Sequence, residues 1–263
     1  MNKTQIVATI GPACKDSETM NKMVLSGMSM ARLNFSWGTH EEHREFVVRV
    51  REAAQAAGQS VIIVQDLSGP RVQEGATHTV DSDIEVITNK DRSDIVALSD
   101  MNIEYVALSF VKDANDITQL QTLLTEAGSQ SKVIAKIERP EALTNLDEII
   151  ATADGIMIAR GDLGDAIPFE TLPFVKKDIL RRCAQAQTPS IVATEMLTSM
   201  IDQEKPSRAD VSDIAHAVLD GASATMMSNE TAVGRYPVQA VVVMKRVVDE
   251  AVKHVDEHPV QFN

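Results

Sequence analysis

Eight short apolar or β-branched runs, separated by longer stretches with helical apolar spacing, constrain the fold of this chain more than any other feature. The runs are Gln5–Ile10, Met30–Asn34, Val61–Gln65, Tyr105–Ser109, Val133–Ile137, Gly155–Ala159, Ser190–Ala193 and Ala224–Met227. Between them, Ser17–Ser26, Glu41–Ala57, Ala114–Ala127, Pro140–Thr152, Pro173–Ala186, Arg208–Leu219 and Val238–Val255 place apolar residues at i, i+3 and i+4. Strand and helix in alternation imply parallel pairing through right-handed crossovers. Eight such units in 263 residues predict one α/β domain over 1–263, a (β/α)8 TIM barrel with its chemistry at the C-terminal ends of the strands. A doubly wound open sheet is the competing architecture, but neither G-x-G-x-x-G nor G-x-x-x-x-G-K-[ST] occurs. Residues 71–90 interrupt the alternation with Gly, Thr, Asp and Ser among a few β-branched residues, with room for a small hairpin. The tail 256–263 has no periodicity, contains Pro259 and is expected to fray.

Composition removes several function classes. A formal charge of −13, a pI near 4.9 and the lack of a Lys/Arg run argue against nucleic acid as a partner, because tracking phosphates needs a basic stripe. Cys14 and Cys183 are too few for a disulfide framework or a cysteine metal site, so reduced thiols in a cytoplasmic setting are expected. No apolar stretch reaches the roughly 18 residues of a membrane span. Met1-Asn2-Lys3 leads directly into the first run, so the chain is expected to be soluble and unprocessed, with no membrane partner.

Two strand-end words stand out within this pattern, Lys136-Ile137-Glu138 and Arg160-Gly161-Asp162. Side chains two apart on a strand share a face, so Lys136 and Glu138 emerge together, a cation beside a carboxylate. Asp162 follows one strand later, and a second carboxylate there makes a hard-oxygen pair suited to Mg²⁺ or Mn²⁺. A surface ion pair beside a turn Asp is the plainer alternative. Arg32, Asn34 and Ser36, at i, i+2 and i+4, present a guanidinium, an amide and a hydroxyl on one face at the end of the second run. The plainer account of Arg32 is a pair with a neighbouring acid that caps the barrel. Asp66 ends the third run before Gly69-Pro70, where an ordinary turn Asp would also fit, and Thr194 ends the seventh, where β-branching suits a strand anyway. The eighth run leads into Ser228, Asn229 and Glu230.

The chain resembles pyruvate kinase through motifs that follow in order along nearly its whole length: Thr9-Ile10-Gly11-Pro12, Ala31-Arg32-Leu33-Asn34-Phe35-Ser36, Ile134-Ala135-Lys136-Ile137-Glu138 and Ala159-Arg160-Gly161-Asp162-Leu163-Gly164, then Ala193-Thr194, Ala217-Val218-Leu219-Asp220-Gly221-Ala222 and Glu230-Thr231-Ala232. The resemblance implies a Mg²⁺- or Mn²⁺-dependent enzyme acting on phosphoenolpyruvate or pyruvate with ADP or ATP. By the same resemblance, Glu138 and Asp162 hold the divalent cation and Lys136 neutralises the transferring phosphoryl group. Thr194 lies near the methylene carbon of the enolate, and Arg32 contacts phosphate. Ala159, Arg160, Gly161, Asp162 and Thr194 line the substrate, whose carboxylate takes backbone amides at Gly161-Asp162. Asn34, Ser36 and Asp66 are implied to bind a monovalent cation such as K⁺.

Departures from the family pattern fall mainly on the nucleotide side. Trp37 stands where the family has His, Leu67-Ser68 where it has Thr-Lys, and Arg71-Val72-Gln73 where it has Glu-Ile-Arg. Glu195 replaces Gln, Asn229 replaces Gly, and Asp165-Ala166 replaces an apolar-Glu pair. Family members insert a β-rich lid domain where only the short interval 71–90 stands here, and they continue into a C-terminal domain. A lid excludes water and completes the clamp on the leaving phosphate, so slow phosphoryl transfer is expected. Two other functions stay open: a metal-dependent 2-oxo acid lyase, aldolase or decarboxylase, that uses the same enolate chemistry, and a non-catalytic regulatory paralogue. The sequence does not specify an oligomeric state.

Overall fold

The computed structural model of the chain describes residues 4–74, 77–80, 85–255 and 259–263, the side chains of 72–80 excepted. Strands β1 (Gln5–Ile10), β2 (Met30–Asn34) and β3 (Ile62–Asp66) are followed by β4 (Arg71–Glu74) and β5 (Thr77–Val80), then β6 (Tyr105–Leu108), β7 (Lys132–Ile137), β8 (Gly155–Ala159), β9 (Ser190–Ala193) and β10 (Ala224–Met227). All except β4 and β5 close a parallel barrel in the order β1-β10-β9-β8-β7-β6-β3-β2. The expected (β/α)8 barrel is therefore the fold, and its eight strands fall within a residue of the eight apolar runs. In the interval 71–90, β4 and β5 pair antiparallel, from Arg71 opposite Val80 to Glu74 opposite Thr77.

Around the barrel lie α1 (Ser17–Leu25), α2 (His40–Ala57), α3 (Asn89–Leu98), α4 (Ala114–Glu126), α5 (Pro140–Thr144), α6 (Leu146–Thr152), α7 (Arg160–Ala166), α8 (Leu172–Ala186), α9 (Arg208–Leu219), α10 (Asn229–Ala232) and α11 (Pro237–Ala251). The single helix expected over 140–152 is two, broken at Asn145, which adopts φ −102° and ψ 18°. Its amide nitrogen Nδ2 donates to the Lys112 carbonyl at 2.9 Å, a side-chain bond that competes with continuing the helix. No helix among the described residues is long and apolar enough to cross a membrane.

Strand alternation divides the core in two. Ile6, Ala8, Ala31, Leu33, Ile63 and Val133 face the helices, while Val7, Met30, Val64, Ala107, Ile134, Met157 and Ile191 fill the barrel itself. Of the tail expected to fray, 256–258 lie outside the described residues, and Phe262 is buried against the barrel interior, its ring 5.3 Å from that of Tyr105 in an edge contact. A Cβ at Gly155 would stand 2.5 Å from that ring, so glycine there makes the room it occupies. Cys14 and Cys183 are both free thiols and buried.

Candidate active site

Continuing the inward-facing set up each strand shows what reaches the barrel mouth. Val7 is followed by Thr9, Met30 by Arg32 and Asn34, Val64 by Asp66, Ala107 by Ser109, and Ile134 by Lys136 and Glu138. Each of these five strands changes from apolar to polar as it nears its C-terminal end. The polar groups then satisfy one another, as burial demands.

Lys136 sits at the centre. Its Nζ donates to Ser109 Oγ at 2.7 Å and lies 3.1 Å from Asp66 Oδ1 and 3.0 Å from Glu138 Oε1. Lys136 is 3% exposed, Glu138 2% and Asp66 1%. Arg32 donates through Nε to Asp66 Oδ2 at 2.6 Å and through Nη1 to Thr9 Oγ1 at 3.1 Å. Desolvation alone would raise the Asp66 carboxyl, but the Lys136 and Arg32 charges outweigh it and hold the group below its ordinary value. Glu138 moves the other way: burial pushes its carboxyl up, Lys136 opposes that, and the nearby Asp162 charge adds to it. Glu138 Oε2 accepts the Phe110 backbone N–H at 2.7 Å. Phe110 holds φ at 58°, an uncommon conformation for a bulky residue that aims its amide at the carboxylate.

Asp162, in the first turn of α7, meets Glu138 across Arg71. Arg71 Nη2 donates to Asp162 Oδ2 at 2.7 Å and lies 3.7 Å from Glu138 Oε1. Thr194 and Glu195 take φ of 67° and 55°, two left-handed residues in succession just past β9. Thr194 Oγ1 donates to the Ala193 carbonyl at 2.6 Å and accepts the Gly161 N–H at 2.9 Å. Arg160 braces this turn: Nε donates to the Ala193 carbonyl at 3.2 Å, Nη2 to the Thr194 carbonyl, and Nη1 pairs with Asp213 at 2.6 Å. Ala159 ends β8, is buried, and pairs in register with Ala193.

Of the residues singled out in the sequence, Arg32, Asp66, Lys136, Glu138 and Asp162 are joined by one chain of contacts, and Thr194 with Arg160 and Gly161 forms a second group at the start of α7. Arg32 and Asp66 do form the capping ion pair. Asn34 and Ser36 depart from the expected shared face, because β2 ends at Asn34. The chain turns there, and Asn34 Oδ1 accepts the Ser36 N–H at 3.2 Å. Sequence reasoning passed over Ser109 and the position of Arg71. Ser109 was legible by parity with Ala107; Arg71 was not, since it reaches the mouth from the β4 edge and not from a barrel strand.

The donor set fits a divalent cation. Among the described residues Glu138 Oε1, which is buried, has no hydrogen-bond partner, although it makes two ionic contacts. Together with Asp162 it offers the one or two carboxylates with which Mg²⁺ is usually held, the remaining positions going to substrate oxygens and water. Among the described residues no group of three or more His, Cys, Asp and Glu converges, so substrate oxygens would be needed to complete the coordination.

A family model described as pyruvate kinase, barrel domain, matches residues 1–89 and 77–241. The chain belongs to the pyruvate kinase family. The pyruvate kinase of Thermococcus litoralis is 34% identical over 94% of this chain and 69% of its own length. Pyruvate kinase 2 of Synechocystis sp. is 31% identical over 98% of this chain, and the pyruvate kinase of Geobacillus stearothermophilus 32% identical over 97%. The chain spans 58% of the length of each of these two relatives. The alignments run over 327 and 344 residues, more than the 263 of this chain, so the relatives carry residues with no counterpart here. The two stretches that match the family model overlap at 77–89, a stretch that begins with β5 of the hairpin.

Proposed function

We propose that this chain binds phosphoenolpyruvate or pyruvate at the barrel mouth, together with Mg²⁺ or Mn²⁺ held by Glu138 and Asp162, and catalyses slow enolpyruvate phosphoryl transfer with ADP or ATP in the cytoplasm. Convergence of Lys136, Glu138 and Asp162 at one end of the barrel supports this reading most directly. The Lys136 ammonium, shielded from water, faces the negative charge that develops as the enol phosphate O–P bond breaks and its electron pair stays on the enolate oxygen. Arg32 takes the phosphate, and the amides at Gly161 and Asp162 take the carboxylate at the start of α7, the Gly161 N–H exchanging its bond to Thr194 Oγ1 for one to the substrate. A proton reaches the methylene carbon from the side of Thr194, whose hydroxyl is held by Ala193 and Gly161. When bound, the divalent cation supplies Lewis-acid stabilisation of enolate and phosphoryl oxygens. Asn34, Ser36 and Asp66 are the groups offered to a monovalent cation such as K⁺; Asp66 already has two cationic partners, which lowers its need for a third.

One observation favours a second reading. Leu67 is buried and Ser68 donates its hydroxyl to the Phe35 carbonyl at 2.9 Å, so neither supplies a cation to a nucleotide phosphate. A metal-dependent 2-oxo acid lyase would need only the enolate half of the site. Deuterium uptake at the pyruvate methyl group with Mn²⁺, measured beside a coupled assay for ATP formation, tests both. Metal-dependent exchange that exceeds ATP formation is expected. Exchange with no ATP formation, together with cleavage of a 4-hydroxy-2-oxo acid, selects the lyase; no exchange with either metal overturns both in favour of a non-catalytic chain.

A further inference from the structure

Arg71 occupies an unusual position. Its side chain is 14% exposed, and its guanidinium lies between two carboxylates, 2.7 Å from Asp162 Oδ2 and 3.7 Å from Glu138 Oε1. Several contacts hold it there. Its Cζ stands 5.1 Å above the centroid of the Phe110 ring, the residue whose amide binds the other oxygen of Glu138. Its own backbone N–H closes a three-residue turn onto the Gly69 carbonyl at 2.8 Å through Pro70. Gly69 holds φ at 65°, and its N–H donates to the buried Asp91 at 3.1 Å. A Cβ at Gly69 would lie 3.0 Å from that of Ser109, so the turn is packed directly against the lysine network.

A Mg²⁺ ion ligated by both carboxylates would sit about 2.1 Å from their oxygens. Glu138 Oε1 and Asp162 Oδ2 both face Nη2, so a divalent ion ligated by these two oxygens would meet the guanidinium and be repelled by its charge. We infer that Arg71 is a built-in counter-ion that competes with the divalent cation, so that metal binding at Glu138 and Asp162 requires Arg71 and the start of β4 to withdraw. The inference rests on the proposed divalent site and adds a control element to it. With Arg71 in place the two acidic groups are neutralised and the mouth is closed on one side. With Arg71 withdrawn, its guanidinium is available to an anionic ligand of the cation, so metal and anion are expected to bind together better than either binds alone.

Arg139 provides an internal control. It follows Glu138 in sequence and stacks on the same Phe110 ring, its Cζ 5.8 Å from the centroid, but it bridges no carboxylate pair among the described residues. Removing either arginine changes the net charge equally. Mn²⁺ binding, followed by calorimetry and by the spin-resonance signal of free Mn²⁺, should tighten by about tenfold or more in Arg71→Gln without any anion, and by less than about threefold in Arg139→Gln. Arg71→Gln should also unfold at lower temperature in chelator than the parent chain and regain more of that loss with Mn²⁺. Equal affinity in the parent and Arg71→Gln, with binding still abolished by Glu138→Gln, would overturn the competition and leave the metal site standing. Equal tightening in both arginine variants would reduce Arg71 to a general field effect and also overturn it. If neither the parent nor Arg71→Gln binds Mn²⁺, even with oxalate, the divalent site itself is wrong and the inference falls with it.

Discussion

Lys136 neutralises two buried carboxylates at once, so its removal should be felt in both rate and stability. Lys136→Met preserves most of the volume and deletes the charge. The expected rate loss in pyruvate methyl exchange is about a hundredfold or more, because the charge acts in a site largely closed to water. Breaking a buried pair from one side costs about 3–5 kcal/mol, and the sign of its pH dependence follows from Glu138. Burial raises that carboxyl above its ordinary 4.5, so Glu138 favours the folded chain while protonated and loses that contribution as pH rises through its folded value. Without Lys136 the rise is greater. The stability deficit of Lys136→Met should therefore be larger at pH 7 than at pH 5, as read by chemical denaturation at both. Asp66 works in the opposite sense: its depressed carboxyl stabilises the fold above its ordinary 3.8, and that contribution is lost as pH falls towards its folded value. At this scale the sequence was informative wherever strand parity applied, as for Lys136 and Glu138. It was silent on Arg71, whose place depends on a turn around Pro70 and a two-stranded hairpin that no periodicity announces.

Helix α3 shows how an element can escape a pattern. Its first turns read Asn-Lys-Asp-Arg-Ser-Asp, and the residues it buries include Asp91 and Asp94 beside Ile95 and Leu98. Apolar spacing cannot reveal a helix that turns carboxylates inward. Asp94 accepts from Lys90 at 2.6 Å and contacts His40 at 2.7 Å, while its carbonyl takes the Gln65 amide at 2.7 Å. Asp91 has two tasks: it completes the capping box with Thr88, and it accepts the Gly69 N–H. Asp91→Ala should lower stability by about 1–3 kcal/mol through the hydrogen bonds it leaves unmade at the Thr88 and Gly69 N–H groups, measured by urea unfolding, and should loosen the turn that aims Arg71. α7 lay outside the apolar spacing for a different reason, since Arg-Gly-Asp-Leu-Gly-Asp-Ala carries two glycines in seven residues; the resemblance alone pointed to a helix start at Gly161-Asp162. By contrast, the eight barrel strands were legible because each is a short, mostly apolar run buried on both faces, which is what a closed parallel sheet requires.

For the whole molecule, the barrel has a chemical end and a structural end. The floor opposite the mouth is completed by Phe262, which lies against Gly155 and Tyr105. Phe262→Ala should cost about 3 kcal/mol in chemical denaturation, while leaving the mouth residues in place. The same segment is stitched to the first strand: the Phe262 N–H donates to Gln5 Oε1 at 3.0 Å, and Tyr105 Oη donates to the Asn263 carbonyl at 2.9 Å. A loop joining Asn263 to Gln5 would add little strain, and the chain could be opened instead at Gly128, an exposed turn with φ 74° between α4 and β7. Both the old junction and the new termini would then sit beneath the floor. Order along the chain is thus separable from the closed ring of strands, and a circularly permuted version, or one tethered to a surface by its ends, would still present the mouth to solution.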